Sequence, residues 1–114
     1  MKKPTKKPKI YLSGKITGLP DLVPELLFEE AEYDVRAMYK HTQVIIVNPI
    51  KIKHKPKSTW EDFMAKDIEA LLYCDEIFML TNWRKSKGAK IEHFIAKQMN
   101  KPIHYQKFFD ELNS

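Results

Sequence analysis

What most constrains this chain is the way its apolar residues change period along the sequence. Short apolar runs at residues 10–13, 44–47, 77–80 and 102–105 are separated by stretches in which apolar residues return every three or four positions. No Asn-Gly or Asp-Gly pair joins one run to the next, so hairpins are not expected, and the chain reads as strand–helix–strand units. Such units demand parallel strands joined by right-handed crossovers, with helices on both faces of the sheet. The expected fold is therefore a three-layer α/β arrangement around a parallel sheet.

The individual segments carry their own punctuation. Ile10-Tyr11-Leu12-Ser13 stops at Gly14, with Gly18 and Pro20 close behind, which marks a strand followed by a loop. Leu27, Phe28, Ala31, Val35 and Met38 fall on one face of a helix expected from about 24 to 40. Val44-Ile45-Ile46-Val47 is β-branched throughout and reads as a strand buried on both faces, ended by Asn48-Pro49. After a lysine-rich connection, Thr59 is placed to cap a helix from 60 to about 73. The third strand follows at 77–80, then a loop to Lys87, a helix from Gly88 to about 100 and a fourth strand at 102–105. Residues 107–112 are expected to form a last helical turn or two.

With 114 residues, 43% of them hydrophobic, the chain suffices for one core. The net charge of +5 suggests a nucleic-acid binder until it is located: Lys2, Lys3, Lys6, Lys7 and Lys9 account for all of it. Residues 1–9 are thus expected to be a disordered basic tail, with a nucleic-acid or acidic-partner arm as the alternative, and 10–114 a single neutral domain. Cys74 is the only cysteine, which excludes an internal disulfide and fits a reducing, cytoplasmic setting. No run approaches the roughly 18 apolar residues of a membrane span, so no membrane association is expected.

Ligands of parallel α/β sheets bind beyond the carboxyl ends of the strands. Gly14, Gly18 and Gly88 all fall in such loops, serving either close ligand approach or plain turns. The same loops hold Lys15, Lys51, Lys53, Lys55, Lys57, Arg84, Lys85 and Lys87. A basic edge on a neutral domain suits an anionic small molecule such as a nucleotide, a solvated lysine face being the other reading. Two acids stand where helix geometry would not place them. At about 100° per residue, Asp67 projects between Phe63 and Leu71 on the apolar face of its helix, where it must find donors or open into a cleft. Glu92 likewise points between Ala96 and Met99, in the first turn after Gly88, where the helix dipole should hold it ionised. An ionised carboxylate at the edge of a cleft can serve as nucleophile at a glycosidic carbon. His41, His54, His93 and His104 lack metal-ligand spacing and read as surface or loop residues. Neither a phosphate-loop motif nor a dinucleotide fingerprint is present, so neither metal nor cofactor is expected.

Three motifs together resemble a known family: residues 10–18 (IYLSGKITG), 60–64 (WEDFM) with Asp67, and 86–92 (SKGAKIE). They are similar to the small branch of the nucleoside 2-deoxyribosyltransferase superfamily, which includes the 2′-deoxynucleoside 5′-phosphate N-hydrolases. The resemblance spans roughly residues 9 to 105. It implies a flavodoxin-like (Rossmann-like) parallel sheet, five-stranded in the family where the residues here give four to five, and a homodimer or higher homo-oligomer. By it, Glu92 is the nucleophile that forms a covalent deoxyribosyl-enzyme, Asp67 handles the proton at the nucleobase, and Tyr11 orients Glu92. Ser13, Gly14, Lys15, Gly18, Ser86, Lys87 and Gly88 would bind substrate. Ser86 stands where the nucleotide hydrolases carry a phosphate-contacting serine and the nucleoside transferases an aspartate, which favours a monophosphate over a nucleoside. Lys15 and Thr17 replace the hydrolases' serine and arginine, and His93-Phe94 replaces a smaller stretch and would narrow the pocket. Asn113 and Ser114 are the candidates for a residue lent by a neighbouring subunit. Base transfer and hydrolysis both remain open, as do a catalytically silent nucleotide-binding module and a nucleic-acid-associated protein.

Overall fold

A computed structural model describes residues 7–107 of the chain. Four strands, β1 (Lys9–Ser13), β2 (Ile45–Val47), β3 (Glu76–Met79) and β4 (Ile103–Tyr105), alternate with helices α1 (Val23–Met38), α2 (Trp60–Leu72) and α3 (Lys87–Gln98). All strand pairs are parallel, in the order β2-β1-β3-β4. The chain moves outward from β1 to β2, then crosses back over β1 to β3. The carboxyl ends of β1 and β3 are therefore the switch point of the sheet, where a crevice opens.

Strand alternation builds a core on each face. Ile10, Leu12, Phe78 and Leu80 pack against Phe28, Ala31 and Val35 of α1. Tyr11, Ile77 and Met79 pack on the opposite face against Leu71 of α2 and Ala89 and Ala96 of α3. Because side chains two apart share a face, Ser13 follows Tyr11 toward α2 and α3. The result is the expected three-layer α/β sandwich, with α1 on one side and α2 and α3 on the other.

The ends of α2 and α3 are chemically defined. Thr59 accepts from the Asp62 N–H at 3.1 Å while the Asp62 carboxylate accepts from the Thr59 N–H at 2.9 Å, a reciprocal capping box. Ser86 caps α3 by accepting from the Ala89 N–H at 3.0 Å. At the other end Asn100 is left-handed, with φ of 56°. Its N–H bonds to the Lys97 carbonyl and that of Lys101 to the Ala96 carbonyl, the paired bonds of a Schellman stop.

Three expectations change. β2 is not buried on both faces: it is an edge strand with Ile45 40% exposed, because the crossover places β1 and β3, not β2, at the centre. Lys9 belongs to β1 rather than to a tail. Its N–H donates to Asp75 at 2.8 Å, its carbonyl accepts from the Asp75 N–H, and the Pro8 carbonyl accepts from that of Ile45. Glu92 is the sixth residue of α3, past the first turn in which it was expected, while the four strands of the described residues stay within the expected four to five. The remainder of the expected tail, residues 1–6, and of the last helical turn, from 108 onward, lie outside the described residues, as do Asn113 and Ser114. Among the described residues no helix is long and apolar enough to cross a membrane.

Candidate active site

A cavity of about 540 Å³ opens at the switch point. Its floor is Tyr11 in the middle of β1, its walls come from α2 (Trp60, Phe63, Met64, Asp67) and the first half of α3 (Lys87, Gly88, Ala89, Glu92), and its rim from residues 14–17, Pro49, Lys85 and Ser86. Both acids singled out by helix rotation face it, Glu92 at 5% and Asp67 at 8% exposure.

Glu92 is held by β1. The Tyr11 hydroxyl donates to one carboxylate oxygen at 2.9 Å and the Ser13 hydroxyl to the other at 2.6 Å. These donors favour the anion, yet burial outweighs them and, with repulsion from Asp67, raises the carboxyl to about 7. The expectation of an ionised Glu92 is corrected accordingly: it is the sixth residue of α3, past the first turn in which the helix dipole acts, and desolvation prevails. Burial, followed by the charges of Glu92 and Asp67, keeps the Tyr11 phenol well above its ordinary value, so it remains a donor.

Asp67 is the less satisfied of the two. Among the described residues its Oδ1 is buried without a hydrogen-bond partner, and desolvation raises its carboxyl to about 6. Burial thus raises both carboxyls toward neutrality, and the charge of Asp67 adds to the shift of Glu92. Buried carboxyls poised in this range are suited to donating and accepting protons at a bound ligand.

The remaining residues divide. Gly14, Lys15, Ser86, Lys87 and Gly88 line the cavity, while Ser13 lies beneath it as a support for Glu92, and Gly18 is outside the lining. Gly18 adopts φ of 86°, so its need is conformational. Gly14 answers to packing: a Cβ there would lie 2.8 Å from the Leu80 Cβ and 3.1 Å from the Asn82 Oδ1, an oxygen that also accepts from the Lys15 N–H. Of the eight loop cations expected on this edge, only Lys15, Lys85 and Lys87 reach the cavity. Lys51 pairs with Glu32 at 3.0 Å instead, and Arg84 lies over the Trp83 ring. Lys87 Nζ sits 4.9 Å from the centre of the Trp60 ring at the mouth. His93 and Phe94 do not narrow the pocket: His93 stacks on Trp83 and meets the Tyr105 hydroxyl at 2.7 Å, and Phe94 is exposed.

Two features escaped sequence reasoning. Ser13 as a second donor to Glu92 follows only once the α3 face is seen to pack on β1. His54, read as a loop residue, lies with its Nε2 4.0 Å from the Asp67 Oδ1, and no periodicity could have signalled it. No curated protein matches this sequence. A family model does, over residues 8–105, which contain every element described above. The chain belongs to the family described as a domain of unknown function, DUF4406.

Proposed function

We propose that the protein cleaves, or transfers the base across, the N-glycosidic bond of 2′-deoxynucleoside 5′-monophosphates. The observation that carries this reading is the pair of buried carboxyls in one cavity, Glu92 fixed by two hydroxyl donors and Asp67 with an oxygen that has no partner among the described residues. The three motifs shared with the deoxyribosyltransferase superfamily support it, as do the cations and the α3 N-terminus at the rim, which suit a phosphate.

Of the two, Glu92, raised to about 7 against about 6 for Asp67, keeps its proton to higher pH. The productive form is the one in which Asp67 carries the proton and the Tyr11 and Ser13 hydroxyls hold the charge on Glu92. The Glu92 carboxylate attacks C1′ as the C1′–N bond breaks, and the bonding pair leaves with the base, which takes the Asp67 proton. The ester so formed is opened by water or by a second base. The incoming group's proton passes to the Asp67 carboxylate, and Glu92 is released. Half-exposed Trp60 and Phe63 offer flat apolar surface for the base. The reading includes a cytoplasmic homo-oligomer, supported by exposed apolar side chains such as Leu26, Tyr33 and Phe94.

The test is incubation with the four 2′-deoxynucleoside monophosphates and the matching nucleosides, free base being followed by chromatography. Base release is expected from monophosphates and is expected to fall by at least about a thousandfold in Glu92→Ala, because the covalent route is lost. Undiminished release by folded Glu92→Ala would overturn the assignment. No release by the native protein, with melting shifted by nucleotide, would point to a binding module instead.

A further inference from the structure

The segment between the Pro49–Lys51 turn and α2 lies along α2 and is tied to it. Lys66 Nζ donates to the Lys53 carbonyl at 2.9 Å, and Ser58 Oγ closes the segment on the Lys55 carbonyl at 2.6 Å. Lys57 adopts a left-handed backbone, φ 65°, where the segment turns toward Thr59. Anchored in this way, His54 is largely covered, its side chain 12% exposed, and its ring lies 4.1 Å from that of Phe63, centre to centre. Among the described residues its Nε2 is the cation-forming group that comes within 4.0 Å of Asp67, facing the oxygen that has no partner there. At 4.0 Å the contact is not a hydrogen bond, but roughly 1 Å of movement in either side chain makes it one.

We infer that His54 is a positioning residue for Asp67, a cation on the loop that steadies the carboxylate left once the acid has given up its proton. The inference rests on the reading of Asp67 as the acid at the base. Once Asp67 has given its proton to the leaving group, the protonated His54 donates a hydrogen bond from Nε2–H to the bare Oδ1 and keeps its own proton. The incoming group's proton then returns to Asp67, so the cycle closes with no proton gained or lost. His54 is not part of the cavity lining, so this contact does not compete with the ligand. Histidine is the side chain whose ordinary titration range suits such a task. The titratable groups facing Asp67 are Glu92 from α3, Tyr11 from β1 and His54 from the loop. Glu92 and Tyr11 act against charge on Asp67 or remain neutral, and only His54 can favour it.

The experiment compares native protein with His54→Gln by two readouts. Carboxyl-carbon NMR, assigned with Asp67→Asn, follows the Asp67 titration without any turnover. Loss of the neighbouring cation is expected to move that titration upward by about one pH unit. The basic limb of the base-release profile, where Asp67 loses the proton it must give, is expected to move upward with it, and kcat on the plateau to fall roughly three- to tenfold with KM little changed, because the carboxylate formed is less favoured. An unmoved Asp67 titration overturns the inference, and so does a profile of reduced height but unchanged shape, which would mark His54 as structural. If native protein releases no base, the proposed function falls and the carboxyl titration alone decides for or against the His54–Asp67 coupling. His54→Asn stands in should the glutamine variant fail to fold.

Discussion

Glu92 is a carboxyl in conflict with its surroundings: two hydroxyls welcome its charge while the core around it does not. The consequence for stability has a definite sign. The folded protein holds this proton up to about 7, against an ordinary value of 4.5. As pH rises from 4.5 through 7 the folded state binds more protons than the unfolded chain, so stability falls across that window. Asp67, raised from 3.8 to about 6, adds to the same trend. Glu92→Gln, which keeps the shape but cannot ionise, and whose amide N–H one of the two hydroxyls can turn to accept, is therefore expected to melt above the native protein at about pH 8, by on the order of 3 kcal/mol, and to match it below about pH 5. Thermal melting at the two extremes checks this, and equal melting at both would remove the buried-charge account.

Among the elements, α2 carries the greatest burden, because it crosses the sheet and supplies Asp67, Trp60 and Phe63. Its capping box fixes where the helix starts and hence which residues turn inward. Thr59→Ala is expected to cost about 1 kcal/mol in urea unfolding. Legibility differs with the kind of contact. Asp67 and Glu92 were visible because helix rotation depends on local sequence alone, and Thr59 because caps are written in residue type. The edge position of β2 was hidden, since Val, Ile and Val look alike in a central strand and in an edge strand whose exposure is set by crossover order. Ser13 and His54 act through partners 79 and 13 positions away, and such meetings are decided by packing. The lysines of residues 51–57 misled because a loop's composition says nothing of which way each side chain leaves it.

For the whole molecule, the two apolar clusters share one four-stranded sheet and neither has a backbone of its own. Helical signal and tryptophan emission, the latter reporting Trp60 and Trp83 near the cavity and α3, are expected to change together in a single denaturant transition. Separate midpoints would show that the α2–α3 side can come apart alone. The parallel arrangement has one more consequence. Every strand runs toward the cavity, so residue 7 enters the sheet from the opposite rim. A carrier, dye or solid support joined to the Lys7 side chain would therefore sit on the rim away from the mouth and leave it unobstructed.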